Sequence, residues 1–175
     1  MEKPRPLEVR DLPLAESFDC GESVLNEWLL KYAWQNHTSG AARVYVAIDT
    51  EPRRIAGYFC LSAASAEYAG APTRVGKGLA RHPIPVVLIG RLGVDQRYQG
   101  QGLARFLVRD AFQRTVTIAD TIGVRAIMVR AKDDSLSTFY EKLGFKSSVT
   151  DPRLLFITIK DVKKSLAVAA QGIVG

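Results

Sequence analysis

Cysteine and histidine are scarce, with two of each in 175 residues: Cys20, Cys60, His37 and His82. None stands in a metal-ligand spacing, and no Cys/His/carboxylate cluster completes a site, so no metal is expected. The same scarcity excludes a disulfide-stapled scaffold, and the two cysteines read as reduced thiols of a cytoplasmic protein. Long apolar runs are missing too. Nothing approaches the roughly 20 residues that span a bilayer, so no membrane association is expected. Met1-Glu2-Lys3-Pro4-Arg5-Pro6 lacks the apolar segment of a secretory signal. There are no internal repeats and no low-complexity segments.

What is present is ordinary for a folded protein: 47% apolar and 24% charged residues. The length fits a single domain, residues 1–175, with a core over about 7–160 and a frayed tail from Gln171 to Gly175. The formal net charge of +6 gives a weak preference for an anionic partner. Arg74, Lys77, Arg81 and His82 share one Gly/Pro-containing stretch. Arg53-Arg54 sit in a turn, and Arg105, Arg109 and Arg114 lie along one predicted helix. Each group alone reads as a solvated basic face; together they suit a polyanion such as an RNA backbone.

Along the chain, Leu7 to Arg10 reads as a short strand. Val24, Leu25, Trp28, Leu29, Tyr32 and Ala33 recur at helical spacing over Glu22 to Trp34, with Asp19 or Ser23 as cap and Gly40 as terminator. Trp28 and Trp34 read as core. Ala42–Ile48 and Ile55–Ala66 form a hairpin around Glu51-Pro52-Arg53-Arg54. Gly70 to His82 is a loop or a short helix, and Pro83 and Pro85 delay the next strand to Val86. Val86 to Ile89 is a continuous apolar run, as a strand covered on both faces requires. A helix from about Gly102 to Ile122 buries Leu103, Leu107, Ala111, Ile118 and Ile122 and stops at Gly123. Ala126–Val129 follows as a parallel strand. Asp133 or Asp134 caps a helix over Ser135–Leu143, closed by Gly144. Phe145–Ser148 and Leu154–Ile159 close the chain as an antiparallel pair. The fold class is therefore α/β with a mixed sheet, antiparallel at the start and parallel in the middle.

The densest chemistry lies between the apolar strand and the long helix, in Leu92-Gly93-Val94-Asp95-Gln96-Arg97-Tyr98-Gln99-Gly100-Gln101-Gly102-Leu103-Ala104. Arg97-x-x-Gly100-x-Gly102 places two side-chain-free positions where a helix begins. Unpaired N–H groups and the positive helix end there suit a diphosphate. Arg97 adds a forked, permanent cation.

Three stretches in order resemble the GNAT acetyltransferase superfamily. Arg97-x-x-Gly100-x-Gly102 is similar to its (Gln/Arg)-x-x-Gly-x-(Gly/Ala) loop. Leu92-Gly93-Val94 corresponds to the strand that splays from its parallel neighbour. Phe139-Tyr140-Glu141-Lys142-Leu143-Gly144-Phe145 is similar to its Phe-Tyr-x-x-x-Gly-Phe signature. Phe18-Asp19-Cys20-Gly21, Leu25-Asn26-x-Trp28-Leu29, Arg43 to Ala47, Tyr58 to Ser62 and Ile84 to Leu92 further resemble the GNAT toxins of type II toxin–antitoxin modules. The resemblance covers roughly Leu7 to Ile159. It implies acetyl-CoA as co-substrate, held by Leu92, Gly93, Val94, Arg97, Gln99, Gly100, Gln101, Gly102, Leu103, Ala104 and Tyr140. It implies acetylation of the α-amine of an aminoacyl-tRNA, which blocks translation. It also implies a homodimer and a ribbon–helix–helix antitoxin through which any DNA contact would come. Many members carry Asn where Asp133 stands; an aspartate cannot donate to pantetheine, and helix capping is its simpler role.

Acetyl transfer needs a neutral amine, a polarised thioester and a proton for the leaving thiolate. The backbone near Val94 suits the second need, and Tyr140, protonated at neutral pH, suits the third. The strand Val86–Val94 carries Arg91 but no carboxylate base. A lysine amine near 10.4 would stay protonated without one, whereas an α-amine near 8 is already about a tenth neutral at pH 7. A water relay to Glu67 or another acid is the alternative. Arg74, Lys77, Arg81 and Arg91 are the expected tRNA contacts. Competing readings are a GNAT enzyme for a small amine or a protein N-terminus, and a catalytically silent acyl-CoA-binding regulator.

Overall fold

The computed structural model describes residues 1–171. Among the described residues, seven strands and six α-helices occur in the order β1 (Arg5–Pro6), α1 (Ser23–Lys31), α2 (Ala33–Ser39), β2 (Arg43–Thr50), β3 (Arg53–Ala66), α3 (Thr73–Gly76), β4 (Ile84–Val94), α4 (Leu103–Ala119), β5 (Ala126–Arg130), α5 (Asp134–Lys142), β6 (Lys146–Ser147), β7 (Leu154–Thr158) and α6 (Ile159–Gln171). The strands hydrogen-bond in the order β1-β2-β3-β4-β5-β7-β6. This is the mixed α/β sheet expected. The chain divides into two compact units, 1–62 with 90–111, and 63–89 with the described residues from Phe112 onward.

In the first unit β1, β2 and β3 are antiparallel, with Arg5 opposite Val46 and Val44 opposite Cys60. Val44, Val46, Ile48, Ile55 and Tyr58 alternate inward and close on Phe18, Leu29 and Ala33. Trp28 and Trp34 pack on this core, Trp28 stacked on Tyr58 at 6.0 Å. Gly93 allows a close approach: a Cβ there would lie 2.9 Å from Tyr58 Cε1 and 3.3 Å from Phe18 Cζ.

In the second unit β4 and β5 run parallel, with Val86–Ile89 opposite Ala126–Val129, and β4 continues to Val94. β7 pairs antiparallel with both β5 and β6. The core joins Val75, Ile84, Val86, Ala126 and Phe156, and Phe112 meets Phe145 at 5.8 Å.

Several local expectations change. Leu7–Arg10 is not a strand: β1 lies at Arg5–Pro6, and a 3₁₀ helix spans Val9–Ser17. Buried Asp11 fixes that turn, accepting from Arg5 Nη1 and Nη2 at 2.7 and 2.9 Å and from Glu8 N at 3.0 Å. The first helix breaks at Tyr32 into α1 and α2, and neither Asp19 nor Ser23 caps it; the cap residue is Glu22, without a side-chain bond. β4 begins at Ile84, with the exposed Pro85 inside it. α4 stops at Ala119. Leu103, Leu107 and Ala111 are buried, whereas Ile118 and Ile122 are exposed, and Gly123 does not take a left-handed conformation. α6 was not expected. Thr158 starts it: its Oγ1 accepts from Asp161 N at 3.1 Å and donates to Asp161 Oδ2 at 2.8 Å. Of the tail expected to fray, Gln171 ends α6 and residues 172–175 lie outside the described residues.

Candidate active site

In the first unit, β4 ends at Val94 and α4 begins at Leu103, and the loop between them is heavily braced. Asp95 is its anchor, 1% exposed. Its carboxylate accepts from Asp19 N at 3.1 Å, Arg97 N at 3.0 Å, and Arg97 Nε and Nη2 at 2.7 Å each. Burial opposes that charge, but the guanidinium and the two amides outweigh it, holding Asp95 below the usual carboxylate range. Arg97 Nη2 also donates to Ser17 O at 2.9 Å. The fork expected to face the anion is therefore engaged with the protein. Gln99 Nε2 donates to Val94 O at 2.9 Å and Cys20 O at 3.0 Å, and Tyr98 Oη to Asp49 Oδ2 at 2.5 Å.

The exposed end of the loop is open. Gly100 and Gly102 have φ of +74° and +84°, and nothing lies within 4 Å of where either Cβ would stand. Both need positive φ, and their bare backbones leave room for a diphosphate. The first turn of α4 has N–H groups without intrahelical partners. The spacing noted at Arg97-x-x-Gly100-x-Gly102 recurs as Gln99-x-x-Gly102-x-Ala104, and the second register straddles the helix start. That overlap was legible in the sequence; the anchoring role of Asp95, which depends on residue 19, was not.

In the second unit, Asp133 caps α5, its Oδ1 accepting from Leu136 N at 2.9 Å. Tyr140 lies on the buried face of that helix, 6% exposed, with Phe139 and Phe145 edge-on at 5.2 and 5.3 Å. Burial pushes its phenol up to about 12, so the proton is retained across neutral pH. Ser137, one turn earlier on the same face, is also buried, and its hydroxyl has no partner among the described residues. Cys20 and Cys60 are buried free thiols, both pushed up by burial, Cys60 to about 11, so neither supplies a thiolate.

The basic residues separate. Arg74 forms a two-point ion pair with Asp161, at 2.6 and 2.5 Å. Lys77 and Arg81 are exposed and line a groove of about 750 Å³ in the second unit. Arg91, in the first unit, is half-buried: its guanidinium carbon lies 5.6 Å from the centre of the Trp28 ring, Nη1 donates to Gly90 O at 2.7 Å, and Nε has no partner among the described residues.

Comparison with known proteins follows the same lines. Residues 40–147 match the family model described as acetyltransferase (GNAT) domain. The tRNA-acetylating toxin of Mycobacterium tuberculosis (strain ATCC 25618 / H37Rv) is 39% identical over 158 residues, 90% of this chain and 93% of that protein. The structure of AtaT complexed with acetyl-methionyl-tRNAfMet superposes with a TM-score of 0.84 at 30% identity, covering 91% of this chain and 96% of that one. A Tyr-to-Phe variant of the AtaT toxin, bound to the C-terminus of the antitoxin AtaR and acetyl-CoA, gives a TM-score of 0.76 at 28% identity, covering 91% and 94%.

Proposed function

Because the chain belongs to the GNAT acetyltransferase family, we propose that it is the toxin of a type II toxin–antitoxin module. It moves the acetyl group of acetyl-CoA onto the α-amine of an aminoacyl-tRNA and so stops translation. The observation that carries this reading is the likeness to a tRNA-acetylating toxin over nine-tenths of the chain.

The residues divide the work. The open backbone at Gly100 and Gly102 and the first turn of α4, Leu103 and Ala104 included, receive the diphosphate, while Arg97, Gln99 and Asp95 keep the loop in shape. Leu92, Gly93 and Val94 offer main-chain groups to the pantetheine arm and the thioester carbonyl. The neutral α-amine attacks that carbonyl; the C–N bond forms, the C–S bond breaks, and Tyr140 protonates the departing sulfur. The amine loses its proton to solvent. No carboxylate lies on β4, which favours an acceptor that is partly neutral already, as an α-amine is.

The cationic side chains are the RNA contacts of this reading, with Lys77 and Arg81 carrying more of the load than the paired Arg74. A homodimer, a ribbon–helix–helix antitoxin that supplies any DNA contact, and a cytoplasmic location complete it. Among the described residues no helix is long and apolar enough to cross a membrane.

The decisive measurement is mass spectrometry of tRNA 3′ ends after incubation of the protein with charged tRNA and acetyl-CoA. Acetylated aminoacyl-adenosine is the expected product. Unmodified ends alongside acetylated small amines or peptide N-termini would replace the substrate assigned here, and no thiol release with any amine would leave only a binding module.

A further inference from the structure

The groove of the second unit is large enough for a ligand, about 750 Å³ against the roughly 300–1,000 Å³ of small-molecule sites. Its lining comes from the segment Glu67 to Pro83 and from Val149. Three features set its chemistry. Tyr68 is half-buried and seated on Gly76, where a Cβ would come within 3.1 Å of Tyr68 Cε2 and 3.3 Å of Cζ. The missing side chain lets the aromatic ring lie against the backbone, so the ring is held in place. Lys77 and Arg81 are exposed cations along the same groove, beside the exposed His82, and among the described residues no carboxylate pairs with Lys77 or Arg81. The main chain bearing Lys77 is pinned by Arg125, whose Nε donates to Val75 O at 2.8 Å and whose Nη2 donates to Lys77 O at 3.1 Å and Arg74 O at 3.3 Å. Glu67 is the one carboxylate in the lining, exposed and without a cationic partner among the described residues.

Resting on the aminoacyl-tRNA reading above, we infer that this groove takes unpaired nucleotides of the substrate's 3′ strand, with a base on Tyr68 and phosphates at Lys77 and Arg81. The balance of charge selects a polyanion. The recessed ring selects an unpaired strand, because a duplex keeps its bases stacked inside and offers a protein mainly its phosphates and sugars. An aromatic platform under cations is the usual arrangement for single strands, and stacking contributes roughly tenfold per base. Glu67 adds selectivity: a carboxylate accepts from the exocyclic amine of cytosine or adenine and repels the carbonyl of uracil. The 3′ end shared by tRNAs, cytidine–cytidine–adenosine, carries such an amine on every base. An acidic peptide would satisfy the cations but has no use for the platform or for Glu67.

The test uses the full chain, two labelled single-stranded RNA oligonucleotides ending in CCA or UUU, and a blunt hairpin, with binding read by fluorescence anisotropy. The wild type should prefer the CCA end. Tyr68→Ala should lose roughly tenfold on both single strands and nothing on the hairpin, with Tyr68→Phe restoring binding. Glu67→Gln should narrow the preference for CCA over UUU. Lys77→Glu with Arg81→Glu should lower the salt slope by about two. Equal loss on hairpin and single strands, or none with Tyr68→Ala, overturns the inference. So does competition by an acidic peptide that ignores Tyr68. A Glu67→Gln variant with collapsed kcat, an altered pH–rate profile and unchanged base preference makes Glu67 a general base instead. Failure to acetylate any charged tRNA counts against the substrate reading, whereas oligonucleotide binding judges the groove independently.

Discussion

The loop after β4 and the groove lined by Lys77 and Arg81 both face anions in this reading, yet they are built in opposite ways. In the loop, nearly every charged or polar side chain is already bonded to the protein: Arg97 to Asp95 and Ser17, Gln99 to Val94 and Cys20, Tyr98 to Asp49. What remains for the ligand is backbone. In the groove the backbone is tied down by Arg125, and the charged side chains are left free. A diphosphate of fixed shape is met by preorganised amides, which lose little freedom on binding. A flexible strand is met by long cations that adjust to it, at an entropic cost that salt readily exposes.

The contrast can be broken most severely at the chemistry itself. Tyr140→Phe removes the proton donor without changing the ring, and kcat should fall by roughly 10²–10⁴-fold. Affinity for acetyl-CoA should stay the same by calorimetry, and growth arrest on expression should be relieved. Next is the brace. Asp95→Asn should raise KM for acetyl-CoA by about tenfold, since one lost charge-assisted bond is worth about 1.5–3 kcal/mol. Acetyl-pantetheine, a thioester without the diphosphate, should be turned over as before; an equal loss on both would mean general damage rather than loop positioning. Smaller still is the difference between neighbouring cations. Lys77→Glu should weaken charged-tRNA use and reduce its salt dependence, while Arg74→Ala, which removes an exposed charge already paired with Asp161, should change charged-tRNA use far less. An Arg74→Ala effect as large as that of Lys77→Glu would erase the distinction. The mildest test is pH. The rate should climb toward pH 8 as the α-amine deprotonates and then hold to pH 10, because burial raises the Tyr140 phenol to about 12 and keeps it protonated throughout. A fall beginning near pH 9 would assign the proton to another group.

How much of this was legible in the sequence depended on distance along the chain. Gly100, Gly102 and Tyr140 announce themselves locally, through a strand–turn–helix pattern and a seven-residue signature, and both elements stand where that pattern put them. The mixed sheet followed from apolar runs and turns. The roles of Arg74 and Arg97 did not follow, because Asp161 lies far away in sequence and Ser17 and Asp19 come from the other end of the first unit. A composition-level count of basic residues treats all of them as free. The 3₁₀ turn at Val9–Ser17 was hidden for a different reason: alternation suggested a strand, but buried Asp11, paired with the nearby Arg5, decides the backbone there. The opposite holds for α6, whose Thr158-x-x-Asp161 cap is local; it was masked because the helix follows β7 with no intervening turn.

Each end of the strand order is closed by a very short member, β1 with Arg5–Pro6 and β6 with Lys146–Ser147. A two-residue border carrying a proline or a lysine offers almost no template for a stray strand to zip onto. The chain is thus guarded against edge-to-edge aggregation by its own outline, and crowding during high expression should leave it dispersed rather than fibrous.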